Sequence, residues 1–230
     1  MMKKIAVGAT LLCAAGFTQA AVITDSDSVA VTSTNIIDQV LVVDMFDDNG
    51  GNFALDSVVL TLSGSIEGDA QVESLDATPA MVTANISAAI TLEDMMSMTV
   101  LSANPVVSEM FSLAAFDTAI DFAGPSGGSS VGLTDMFSES MTWTMPMDLA
   151  AFVGMGTISY NFNALGTSNA SGAGNLIAQL NTRAGAELLI TYNYTDNTPP
   201  PVTTVSAPSS VALLGLSLLG VAGLRRKAKK

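Results

Sequence analysis

The chain has 230 residues, 21 of them acidic against eight basic, with no histidine and a single cysteine. A net charge of −13 argues against nucleic acid as a partner, because the protein repels phosphate backbones. Without imidazole there is no histidine triad, no usual zinc ligand set and no histidine acid–base catalysis.

At the start, Lys3 and Lys4 precede an apolar run from Ile5 to Phe17, and Thr18-Gln19-Ala20 offers small residues for cleavage. This is the pattern of a secretory signal peptide cut after Ala20, so residues 1–20 are expected to be removed. Cys13 lies inside the run behind Leu12 rather than a small residue, which disfavours a lipoprotein signal. Its removal leaves no cysteine nucleophile and no disulfide, and a body of about 180 residues can bury a sufficient core without one. No lysine lies between Lys4 and Lys227, so Schiff-base and Ser–Lys chemistry are absent from the body as well.

The body, residues 21–195, reads as strands. Asp25 and Asp27 are expected in a solvated leading segment. "QVLVVDMF" from Gln39 is apolar enough for a strand covered on both faces. Leu60, Leu62 and Ile66 keep a two-residue period, and so do Val82, Ala84, Ile86, Ala88, Ile90 and Leu92. The pattern returns in Met141, Trp143 and Met145, where it favours Trp143 as a core anchor over a sugar platform. It returns again in Ile158, Tyr160 and Phe162, and in Leu188, Ile190, Tyr192 and Tyr194. Turn-forming stretches at 47–52, 123–130 and 166–174 separate these runs, and Asp148 to Phe152 suits one short helical turn. Many strands with such punctuation predict an all-β antiparallel sandwich.

One stretch has ligand chemistry. Asp44, Asp47, Asp48 and Asn49 lead into Gly50-Gly51, and clustered carboxylate and amide oxygens on a glycine turn suit calcium. The spacing is not that of an EF-hand, and the preferred reading is that Asp and Asn simply form the turn between two strands. Met95, Met96 and Met98 could bind soft metals, but apolar packing beside a strand is the expected role. Two carboxylates suffice for a glycosidase, yet one tryptophan and three tyrosines provide few stacking platforms.

Behind the body, residues 196–206 are rich in proline and threonine and read as an extended, stiff linker. Val211 to Leu224 carries no charge, and as a helix spans about 21 Å; started at Ala207 it reaches about 27 Å, marginally enough to cross a bilayer. Arg225, Arg226, Lys227, Lys229 and Lys230 follow at once, and such a cluster stays on the cytoplasmic side. All 21 acids lie between Asp25 and Asp196 with Arg183 as their only cation, so the body carries a charge near −20.

Ser206-Ala207-Pro208, the apolar run and "RRKAKK" together resemble the PEP-CTERM sorting signal of Gram-negative bacteria, with Ser-Ala-Pro standing where Pro-Glu-Pro is usual. The resemblance covers residues 207–230 and the residues just before them. It implies a partner, an exosortase-type processing peptidase, a membrane tether before processing, and delivery to the cell surface or extracellular matrix. "LDSVVLTLSGSIEGDAQVESLDATPAMVTANISAAITL", "FSLAAFDTAIDFAGPSGGSS" and the stretch from Asp148 to Thr195 resemble the choice-of-anchor E domain. That family implies the architecture and no catalytic residue. The resulting expectation is an exported, non-enzymatic surface or matrix protein, structural or adhesive beside exopolysaccharide. A calcium- or carbohydrate-binding module is the alternative, and a glycoside-active enzyme the remote one.

Overall fold

The alternating runs become strands of two antiparallel sheets in the computed structural model, which describes residues 19–199. The expected signal segment before Gln19 lies outside the described residues. So do Ser206, Ala207, Pro208, the apolar C-terminal run, and Arg225 and Arg226. Among the described residues no helix is long and apolar enough to cross a membrane.

The first sheet has the order β1 (Gln19–Ser33), β10 (Leu176–Asp196), β3 (Phe53–Ser74), β7 (Gly127–Trp143). The second has the order β2 (Ile36–Asp44), β8 (Thr157–Gly166), β4 (Ala80–Glu93), β5 (Thr99–Ala103). Two further strands, β6 (Val106–Leu113) and β9 (Asn169–Ser171), flank the first half of β4. The second half of β4 pairs with β5 and β8. The break between β5 and β6 falls at Asn104-Pro105, where proline has no amide to continue the ladder. One helix, α1 (Pro146–Leu149), and a single 3-10 turn, Ala150–Phe152, link β7 to β8.

The core lies between the sheets. Val82, Ala84, Ile86, Ala88, Ile90 and Leu92 of β4 face Leu60, Leu62, Ile66, Leu188 and Ile190, all buried. The sheets interlock at Ile86, which sits over Gly68 of β3: a Cβ added there would come within 2.5 Å of Ile86 Cγ2. The missing side chain of Gly68 is the notch that lets the isoleucine in.

Four expectations are corrected. Asp25 and Asp27 are not in a solvated segment but in β1, paired residue for residue with β10. Their carboxylates reach the facing edge of the other sheet: Asp44 N donates to Asp25 Oδ2 at 2.7 Å, and Val42 N to Asp27 Oδ2 at 2.8 Å. On the opposite side Val106 N donates to Asp135 Oδ2 at 2.9 Å. Both open sides of the sandwich therefore use aspartates to occupy edge amides that would otherwise recruit another strand. "QVLVVDMF" is covered on one face only: Leu41 and Val43 are buried while Val40 and Val42 are exposed, because each sheet of a two-layer sandwich packs on its inner face alone. Met141 is exposed because β7 is the outer strand of its sheet, Met145 is exposed because it lies past the end of β7 at the start of α1, and Trp143 is half-buried against Phe152 at 4.9 Å. The stretch 166–174 is not all loop, because β9 forms inside it.

Candidate cation-binding turn

The turn 47–52 joins β2 to β3 at one end of the sandwich, above an aromatic layer. Phe46 meets Tyr192 at 5.6 Å and Tyr194 at 5.3 Å, and Phe53 meets Tyr194 at 4.8 Å. Backbone bonds from Phe46 N to Phe152 O and from Gly154 N to Phe46 O, each 2.9 Å, anchor the approach to the turn. Asn49, Gly50 and Gly51 all have positive φ, a succession that asparagine and glycine accept and bulky residues resist.

The four candidate ligands do not converge. Asp47 Oδ1 accepts from Asn49 N at 2.9 Å and Asp48 Oδ1 from Gly50 N at 3.1 Å, both closing the turn on itself. The Asp48 carbonyl accepts from Gly51 N and Phe53 N. Asp44 sits in the strand below, its carbonyl taking the Tyr192 hydroxyl at 2.7 Å. The arrangement is that of side chains shaping a turn. Among the described residues no group of three or more carboxylates, cysteines or histidines is arranged to hold a metal.

A second polar centre was not legible in the sequence. Glu73, at the end of β3, is fully buried, accepting from Ser126 Oγ at 2.6 Å and Phe122 N at 2.9 Å. It latches the 114–126 segment across the sheet face, and Gly127 lets that segment cross closely, because a Cβ there would reach Glu73 Oε2 and the Ala123 backbone. Asp76 does similar work nearby, accepting from Gly174 N at 2.6 Å and Asn175 N at 2.9 Å. These acids hold loops in place, and the only cation among the described residues, Arg183, pairs with Asp69 at 3.6 Å on a half-exposed face.

Two tyrosines close the same end from inside. Burial first, and then the Asp94 charge, pushes the Tyr160 hydroxyl up to about 12. Tyr192 is raised too, by burial first and then by Tyr160, Asp25 and Asp44. Both are neutral in the fold, whereas the unfolded chain titrates near the ordinary value of about 10. Their contribution is therefore complete below about pH 10 and is lost as pH rises toward 12. Urea midpoints should be level from pH 8 to 9.5 and fall steeply by pH 11.5, with roughly 2 kcal/mol of the loss due to Tyr160. Tyr160→Phe should remove that share; an equally steep fall in the variant contradicts the assignment.

No family model matches the chain, and no curated protein matches it. Among solved structures the chain is weakly similar to one from an infectious bursal disease virus particle, at 11% identity and a TM-score of 0.15, covering 90% of this chain and 47% of that one. A chain from the Gt strain of the same virus gives 12% identity and a TM-score of 0.12, with 90% and 50% covered. The protein thus spans about half the length of these viral chains, and scores this low assign neither topology nor role.

Proposed function

We propose that the protein is an exported, non-catalytic building element of the cell surface or extracellular matrix, structural or adhesive, delivered through its C-terminal segment by an exosortase-type peptidase. The observation that carries this reading is the order of parts in the chain. An export-type leader precedes an acidic β body, a proline-rich stretch follows, and an apolar run ends in five positive charges. Pairing of Ala21 with Tyr194 supports it, because the expected mature body begins and ends at the same end of the sandwich. The acids whose partners are described here shape turns, latch loops and cover strand edges, uses that suit a scaffold. No Trp, Tyr or Phe among the described residues is among the exposed large side chains, which gives a sugar ring little to stack on.

A body near −20 does not adhere to anionic polymers by charge alone, so divalent ions would have to bridge the two. Deleting the gene should reduce attachment or aggregation in medium with calcium and change little without it, with metabolic activities intact. Normal attachment in the deletion strain removes the adhesive role. Complementation with Asp44/Asp47/Asp48→Asn asks whether the turn does the bridging: failure to rescue assigns it that part, and full rescue leaves it a turn.

A further inference from the structure

The end of the sandwich where the chain enters and leaves is crowded with methionine. Seven of the 13 in the chain sit there: Met45 after β2, Met95, Met96 and Met98 between β4 and β5, and Met145, Met147 and Met155 between β7 and β8. Packing beside a strand does not account for them. Met96 is 84% exposed, Met147 90% and Met155 92%, and Met95, Met98 and Met145 are about two-thirds exposed.

The turn that presents three of these thioethers is fixed from below. Asp94 Oδ1 accepts from both Met96 N at 2.8 Å and Met98 N at 2.9 Å, and Asp94 N donates to the Met98 carbonyl at 3.0 Å. Ser97 takes a positive φ to complete it. Asp94 also lines a shallow cavity of about 250 Å³ together with Trp143, Asp148, Phe152 and Tyr160, so the turn borders the segment bearing Met145, Met147 and Met155. Met45 lies over Gly154 of that segment: a Cβ there would come within 3.1 Å of its Sδ.

Exposed thioethers are neutral, polarisable donors that select soft monovalent ions such as Cu(I) over calcium or zinc. Asp44, Asp47, Asp48, Glu93, Asp94 and Asp148 at the same end give it a negative field that draws cations and repels anionic lipid headgroups. Neither histidine nor cysteine occurs among the described residues, so these sulfurs are the softest donors the body has. We propose that this end of the sandwich is a binding site for a soft monovalent cation, Cu(I), held by methionine thioethers from the β4–β5 turn and the β7–β8 connection.

The test uses the full chain carrying Cys13→Ser, so that the thiol does not compete, under reducing anaerobic conditions. Cu(I) is supplied as the complex of a chromogenic chelator, and its withdrawal by protein is followed by colour. The parent chain should take up Cu(I). Exchanging Met95, Met96, Met98, Met145, Met147 and Met155 for Leu, of similar volume at exposed sites, should weaken uptake at least 100-fold. Exchanging Met81, Met110 and Met136, exposed on the strands instead, should leave uptake unchanged. With methyl-labelled methionine and Ag(I) as the redox-inert probe, the methyl resonances of residues 95, 96 and 98 should shift first. The site is overturned if the chelator keeps its Cu(I) against the parent chain, if the six-residue variant binds undiminished, or if the strand variant loses as much.

Discussion

Ile86→Asp should leave the domain unfolded or barely folded, while Thr83→Asp three residues away should be mild. Ile86 is fully buried, occupies the notch over Gly68, and forms part of the contact between the sheets. A carboxylate there loses its hydration without gaining a partner and forfeits the packing of the isoleucine, a combined cost of about 4 kcal/mol or more. That is a large fraction of the net stability of an ordinary domain, about 5–15 kcal/mol. Thr83 lies on the outer, half-buried face of β4, where a carboxylate keeps access to water. Urea unfolding followed by circular dichroism compares the two directly. Equal losses would mean that the two faces of β4 have been assigned wrongly.

Glu73→Ala should cost about 3 kcal/mol, because it leaves the buried Ser126 hydroxyl and the part-buried Phe122 amide without their acceptor. The loss should be uneven. The 114–126 segment should open first, with amide exchange at Phe122 rising well before that of the β3–β10 ladder. Glu73→Gln keeps the shape and one acceptor oxygen and should fall between the two. Unchanged exchange at Phe122 in the alanine variant would show that the carboxylate is not the latch.

Sequence and structure agree where one strand face is wholly apolar. The period-two run of β4 is buried residue for residue as its alternation implies, and Leu60, Leu62, Tyr160, Phe162, Leu188 and Ile190 follow the same rule. The short helical turn at 148–152 and the glycine turn at 47–52 are also where local chemistry puts them. Edges are harder to read. β1 is interrupted by Asp25 and Asp27, which look like solvated acids until the facing amides of β2 are in view. Glu73 escapes for a related reason. Alternation puts it on the outer face of β3, and only the 114–126 segment folding over that face buries it. Burial by a distant loop leaves no trace in local periodicity. The acids of the candidate turn show the converse: Asp47 and Asp48 have the composition of a ligand set, but their oxygens engage their own backbone, a choice made by φ values and not by residue type.

The proposed surface or matrix role depends on the protein being delivered outside the cell as a body without its sorting parts. Intact-mass analysis of protein shaved from the surface or recovered from the matrix tests that directly. The account predicts a chain beginning at Ala21 and ending near Pro208, with the apolar run and Arg225 to Lys230 gone. Full-length protein, with Met1 and Lys230 both present and confined to the cytoplasm, would contradict it.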